Sequence, residues 1–151
     1  MNNKVTMKEL LPFIEEALNN DKTFIIPITG TSMRPLLIAG RDTVTLKKCE
    51  NKLEKGDLPL YRRQDGTFVL HRVVGFTGNG DYIMCGDNQF LKEKGITGEQ
   101  IIGIVTEITR KGKKFSVESK KYQLYVKIGL LLLNIRYPYR RLRYYLHLLR
   151  K

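Results

Sequence analysis

Hydrophobic and polar positions follow three different patterns along the chain. In residues 6–19 the apolar side chains recur at the i, i+3, i+4 spacing of an amphipathic helix, in the set Leu10, Phe13, Ile14, Ala17 and Leu18. Thr6 and Glu9 form a capping-box pattern at its start, and Asn19-Asn20-Asp21 ends it. We therefore expect a short N-terminal helix.

From Thr23 the pattern changes to short apolar or alternating runs separated by turn residues. It predicts strands over 24–28, 42–46, 58–62, 68–76, 81–84, 101–109 and 114–118. Three turns between them favour hairpins: Gln64-Asp65-Gly66, Gly78-Asn79-Gly80 and Lys111-Gly112-Lys113. The fold class expected is mainly β, a meandering antiparallel domain over residues 23–118.

After residue 118 the helical period returns. Leu142, Tyr145, Leu146 and Leu149 form an apolar stripe, and Pro138 is expected to break the segment in two. The chain thus divides into an N-terminal helix (1–22), a β-domain (23–118) and a helical tail (119–151).

The net charge of +12 lies mostly in this tail. No acidic residue follows Glu118, whereas nine basic residues do: Lys120, Lys121, Lys127, Arg136, Arg140, Arg141, Arg143, Arg150 and Lys151. Such a tail indicates an anionic partner, either lipid headgroups or nucleic acid, or else a solvated face.

Neither a secretory signal nor a membrane-spanning helix is expected. Charged residues such as Lys8 and Glu9 interrupt the N-terminal segment, and the longest near-continuous apolar run, 128–133, is far shorter than a membrane span. Cys49 and Cys85 lack metal-ligand or redox spacing, so free thiols are expected. A cytoplasmic protein, or one peripheral at a membrane, fits these features.

Three short segments supply a hydroxyl, an imidazole and a carboxylate, in that order. Ser32 lies in the turn Gly30-Thr31-Ser32-Met33-Arg34-Pro35, where nearby backbone N–H groups can stabilise an oxyanion. His71 lies in a predicted strand, on the face shared by Val69 and Val73. Each segment alone is also compatible with an ordinary turn or a structural histidine.

The carboxylate has two candidates. Asp87 belongs to the turn Gly86-Asp87-Asn88, and Glu93 lies six residues further on. One of them can orient His71 while the other pairs with Arg72 or Arg34. His147, the second histidine, lies in the basic tail and is interpreted as structural or interfacial.

Four segments in order resemble the signal peptidase I and LexA-type serine peptidase superfamily, over about residues 23–110. They are Gly30–Pro35, Gly56-Asp57 with the strand after it, His71-Arg72-Val73-Val74 and Gly86-Asp87-Asn88. The histidine, where the common bacterial branch has lysine, resembles the archaeal and endoplasmic-reticulum branch.

The resemblance implies a serine endopeptidase that removes a leader or signal-like segment from a peptide or protein precursor. Ser32 would be the nucleophile, His71 the general base, and Glu93 or Asp87 the group orienting His71. Gly30, Thr31 and Met33 would contribute to the oxyanion and substrate site. No metal or other cofactor is implied.

The chain departs from the family pattern in four respects. Glu93 stands where the Ser–His branch has aspartate, and Gly30 stands where signal peptidases usually have serine. We expect neither the family's N-terminal anchor nor the extra β-domain of larger enzymes in this chain. The tail is a possible substitute anchor on an anionic membrane surface, the alternative being that its leucines pack on the β-domain.

Two other functions stay open, both on the same fold. One is a LexA-like switch that cuts its own chain, and the other is a non-catalytic membrane-binding module. No specific nucleic-acid partner is expected, because no binding motif accompanies the basic tail.

Overall fold

The computed structural model describes residues 6–149. Within this range the side chains of five tail residues are outside the description: Asn134, Arg136, Tyr137, Arg140 and Tyr144. Arg150 and Lys151 of the basic tail also lie outside the described residues. Helix α1 spans Met7–Asn19, and the predicted capping box is present, since Thr6 and Glu9 exchange side-chain-to-backbone hydrogen bonds.

Nine strands follow, all paired antiparallel. They are β1 (Phe24–Pro27), β2 (Thr43–Lys47), β3 (Pro59–Arg62), β4 (Phe68–Leu70), β5 (Arg72–Phe76), β6 (Tyr82–Cys85), β7 (Glu93–Ile96), β8 (Ile101–Arg110) and β9 (Lys113–Ser116). A 3-10 turn, Gly98–Gln100, leads into β8. The mainly antiparallel β class is confirmed, as are the three predicted hairpins; β7 and the 3-10 turn were not predicted.

The larger sheet has six strands in the order β1-β2-β8-β3-β4, with β9 beside the second half of β8. Its end strands, β1 and β4, nevertheless line the same cleft. The sheet therefore curls, and the cleft lies between its two edges.

The smaller sheet contains β5, β6 and β7. The predicted single strand over 68–76 is wrong, because it divides at His71. Leu70 pairs with Leu60 in the larger sheet, whereas Arg72 pairs with Cys85 in the smaller one. His71 thus lies where the chain passes from one sheet to the other.

Helix α2 spans Lys120–Leu148 without interruption. The predicted break at Pro138 is wrong, since a proline removes only one backbone hydrogen bond and the turns on both sides continue the helix. No helix among residues 6–149 is long and apolar enough to cross a membrane.

Two groups of buried side chains form the interior. The larger joins the six-stranded sheet to Ile14 and Leu18 of α1 and to Tyr122 and Val126 of α2. The smaller lies between the sheets and includes Tyr61. The first turns of α2 therefore pack on the β-domain. Cys85 is buried and Cys49 is half-buried, and the two are not joined in a disulfide.

Candidate active site

The turn that carries Ser32 leaves the edge strand β1. Gly30 has a φ of +74°, in the left-handed region that favours glycine. Three residues on, Met33 is buried in the main core, and its carbonyl accepts a hydrogen bond from the Leu37 N–H at 2.9 Å. The turn is fixed from within, while the half-buried Ser32 lines the cleft.

The amide groups around Ser32 have no protein acceptor in residues 6–149. This holds for the N–H groups of Thr31, Ser32 and Met33, whereas the Arg34 N–H donates to the Thr31 carbonyl at 3.3 Å. Three consecutive unengaged donors beside a hydroxyl have the composition of an oxyanion-binding turn. Gly30, Thr31 and Met33, which were expected to contribute to the oxyanion and substrate site, line the same cleft as Ser32.

The turn at Gly86 packs directly against the Ser32 turn. A Cβ on Gly86 would lie 2.7 Å from the Ser32 carbonyl oxygen, so only glycine fits this approach. The Asn88 backbone N–H donates to the same carbonyl at 2.7 Å, and Asn88 Nδ2 donates to the Thr31 carbonyl at 3.3 Å. Two segments of the predicted motif thus meet backbone to backbone.

Asp87 faces Arg72, which was one of the two arrangements considered from the sequence. Arg72 donates through Nε and Nη2 to the two carboxylate oxygens, each at 2.8 Å. Its Nη1 donates to the Gly56 carbonyl at 2.9 Å and to the Tyr122 hydroxyl at 3.1 Å, and Tyr125 donates to Asp87 at 3.1 Å. Burial of Arg72 opposes its charge, but the hydrogen bonds to Asp87 outweigh it and raise the pKa of the guanidinium.

His71 is 4% exposed, and its Nδ1 lies 3.3 Å from the Tyr61 hydroxyl. That hydroxyl has one proton, which it donates to the Glu93 carboxylate at 2.9 Å. It can therefore only accept from His71, so the network assigns the proton of the neutral imidazole to Nδ1 and leaves Nε2 unprotonated.

Glu93 reaches His71 through Tyr61, whereas the sequence suggested an orienting contact. Arg63 holds the Glu93 carboxylate, with Nε 2.9 Å from Oε1 and Nη2 2.7 Å from Oε2. Burial opposes ionisation of Glu93, but hydrogen bonds from Arg63 and Tyr61 lower its pKa. Burial, followed by the hydrogen bond to Glu93, raises the pKa of Tyr61, which remains a neutral phenol.

The surroundings of His71 keep it uncharged. Burial, together with the Arg63 cation, lowers its pKa from 6.5 to about 4, with Glu93 and Asp87 acting in the opposite direction. At neutral pH the side chain is therefore an imidazole that can accept a proton at Nε2.

Ser32 and His71 line one cleft of about 350 Å³ between the two edges of the larger sheet. Its walls include Ile26 from β1 and Phe68 from β4. No hydrogen bond joins Ser32 to His71 in the part of the chain that the structure describes. The arrangement brings a hydroxyl, a neutral imidazole and unengaged amide donors to a single opening.

Sequence reasoning missed Tyr61, Arg63 and the two hydrogen bonds that Asn88 donates to backbone carbonyls of the Ser32 turn. A signal for Tyr61 was present, because the Gln64-Asp65-Gly66 hairpin pairs Tyr61 with Val69, two residues before His71. Arg63 and Glu93 meet only through β7, which the sequence did not predict.

The chain was also compared with known proteins. No protein-family model matches it, and no curated protein is significantly similar to it.

Proposed function

We propose that this chain is a serine endopeptidase with a signal-peptidase-like β-fold, which cuts a leader or signal-like segment from a peptide or protein precursor. The observation that carries the proposal is the shared cleft of Ser32 and a buried, neutral His71 whose Nδ1 is already engaged. A serine needs such a base, because its hydroxyl is a poor nucleophile on its own.

In the proposed reaction Ser32 Oγ attacks the carbonyl carbon of the scissile peptide bond, and its proton passes to His71 Nε2. The amides of Thr31 to Met33 donate to the resulting oxyanion. His71 then gives the proton to the leaving amine, and an acyl-enzyme forms as the C–N bond breaks. A water molecule, deprotonated by the same imidazole, hydrolyses the ester and regenerates Ser32.

Tyr61 and Glu93 are positioning residues in this proposal. Tyr61 accepts the Nδ1–H and so fixes the tautomer that has a free Nε2. Glu93, fixed by Arg63, orients the Tyr61 hydroxyl and places negative charge near the imidazolium that forms during the reaction. Asp87 is assigned to the Arg72 ion pair, which supports the loop beside Ser32.

The cleft suits an extended substrate. Both of its walls are end strands of the larger sheet, and an edge strand offers backbone groups to an added strand. Ile26, Leu60 and Phe68 supply apolar lining. A peptide with small or apolar residues around the cleavage point fits these walls.

A fluorophosphonate probe tests the nucleophile without knowledge of the substrate. We expect mass spectrometry to locate the adduct on Ser32 in the full chain. Labelling should vanish in Ser32→Ala and slow by about a hundredfold or more in His71→Gln, since a general base contributes roughly 10²–10⁴-fold.

Ser119→Ala is the matched control, because Ser119 occupies the N-cap position of α2 but its hydroxyl makes no capping hydrogen bond, and it lies outside the cleft. It should label at the normal rate. Equal labelling of Ser32→Ala and the unmodified chain, or no labelling of either, would argue against a peptidase.

A further inference from the structure

Helix α2 has two apolar faces, of which only one is covered. Tyr122 and Val126 are buried in the main core, and Tyr125 and Leu130 pack against it. The packing is close, since a Cβ on Gly56 would lie 2.9 Å from Val126. The face that holds α2 on the β-domain is therefore formed by Tyr122, Tyr125, Val126 and Leu130, which recur at helical spacing.

The other face is an exposed apolar stripe along almost the whole helix. Its members recur every three or four residues and are all at least half exposed: Leu124, Ile128, Leu131, Ile135, Tyr139, Leu142, Leu146 and Leu149. At about 1.5 Å per residue the stripe is about 38 Å long. Leu131 is 76% exposed and Leu149 is 83% exposed, so nothing in the described chain covers it.

This outer stripe is flanked by positive charge alone. Lys127 is next to Ile128, and Arg141 and Arg143 lie on either side of Leu142 in the sequence. Residues adjacent in sequence project about 100° apart on a helix, so these basic residues border the apolar stripe. The Arg141 guanidinium lies 5.8 Å from the centre of the Tyr145 ring.

We infer that this outer stripe of α2 is a docking surface for an anionic lipid bilayer, with the helix lying along the surface. The apolar side chains would enter the boundary between headgroups and acyl chains, and the basic side chains would reach lipid phosphates. The inference stands on α2 and does not depend on peptidase activity.

Charge and apolar surface argue against two other occupants of this outer stripe, a second copy of the chain and a nucleic acid. Two copies packed stripe to stripe would bring together two tails that each hold nine basic residues and no acidic one. A nucleic acid would neutralise the charge but would leave the leucines in water. An anionic bilayer satisfies both the charge and the apolar surface.

Co-sedimentation with vesicles tests the inference on the full chain. Vesicles of phosphatidylglycerol and phosphatidylcholine in equal parts should bind the protein at least about tenfold more tightly than phosphatidylcholine alone, because several basic residues border the stripe and each contributes roughly fivefold near an anionic leaflet. High salt should weaken that binding.

A matched pair of leucines makes the test specific. Leu146 and Leu148 are 50% and 49% exposed, but they lie two residues apart and hence on different faces of α2. Leu146→Ser should weaken binding to the anionic vesicles by about tenfold, and Leu148→Ser by much less. Both leucines are exposed, so both variants should fold.

Three results would overturn the inference: equal binding to both kinds of vesicle, equal effects of the two leucine variants, or a lipid-free dimer that Leu146→Ser dissociates. Preferential binding of an unstructured oligonucleotide over the anionic vesicles would also overturn it. A gain in helical signal or protection of α2 with anionic vesicles alone would support it.

Discussion

The two carboxylates beside the Ser32 turn and His71 lie in clusters of similar composition but of different character. Asp87 accepts hydrogen bonds from Arg72 and Tyr125, and the Tyr122 hydroxyl accepts one from Arg72. Glu93 meets an arginine and a tyrosine, Arg63 and Tyr61. We call them the Asp87 cluster and the Glu93 cluster.

The clusters differ in their exposure and in the groups that their hydrogen bonds reach. In the Asp87 cluster the Arg72 and Asp87 side chains are 4% and 12% exposed, and the bonds lead to the backbone of Gly56 and to α2. In the Glu93 cluster the charged pair is about one-third exposed, and the bonds lead to His71. The Asp87 cluster thus ties separate segments of the fold together, whereas the Glu93 cluster presents the hydroxyl of Tyr61 to the imidazole of His71.

The strongest contrast is expected in stability. Arg72→Met should lower the free energy of unfolding by about 3–5 kcal/mol, because it leaves the Asp87 carboxylate buried without its cation. Urea unfolding followed by circular dichroism measures it. The matched variant Arg63→Met should cost less, about 1 kcal/mol, because this pair keeps access to solvent and Glu93 is not left as a fully buried charge.

Equal losses in these two variants would remove the distinction between a structural and a functional cluster. An Arg72→Met chain that does not fold at all agrees with the prediction, provided that Arg63→Met does fold.

The next effect is on reactivity. Tyr61→Phe should slow labelling of Ser32 by about tenfold to a hundredfold, less than the loss of the base itself, because His71 would keep Nε2 but lose the acceptor that fixes its tautomer. Glu93→Gln should be milder, since its amide oxygen can still accept from Tyr61.

A tautomer measurement separates positioning from packing. In a Ser32→Ala, His147→Gln background the ¹⁵N shifts of the remaining histidine should report a proton on Nδ1. In the Tyr61→Phe version they should report a mixture. An unchanged tautomer together with slow labelling would mean that Tyr61 acts through packing alone.

The Asp87 cluster was accessible from the sequence and the Glu93 cluster was not, for a physical reason. Arg72 immediately follows His71, and the β5–β6 hairpin, predicted from Gly78-Asn79-Gly80, pairs Arg72 with Cys85, two residues before Asp87. Local turn chemistry was therefore enough to bring that pair together.

The Glu93 cluster depends on a strand without a sequence signal. The segment Glu93–Ile96 has one buried residue and a glycine at a φ of +79°, so neither alternation nor β-propensity marks it. Its place is set by pairing with β6, a tertiary effect. The switch of sheets at His71 was missed for the same reason, because the run 68–76 reads as one strand locally.

The tail shows the same limit in a helix. The stripe at Leu142 to Leu149 was visible from its spacing, and its side chains are exposed. Its continuation to Leu124 was hidden, because the opposite face of that part of α2 is equally apolar, and only packing decides which of two faces is covered.

The smallest effect that distinguishes the clusters is on proton binding at His71. Because its pKa in the folded chain is about 4, the rate of Ser32 labelling should fall at low pH with a midpoint near 4 and not near 6.5.

The stability of the folded chain changes over the same pH window. Between about pH 6.5 and 4 the unfolded chain binds a proton that the folded chain resists. The contribution of His71 to the free energy of unfolding is therefore complete above about pH 6.5 and is lost as the pH falls.

Arg63→Met should move the midpoint of His71 protonation to higher pH, because it removes a cation that disfavours the imidazolium and leaves Glu93 to attract it. An NMR titration of His71 in the His147→Gln background measures the shift directly. A downward or absent shift would show that Arg63 and Glu93 do not act on His71 electrostatically, and the Glu93 cluster would then resemble the Asp87 cluster in role as well as in composition.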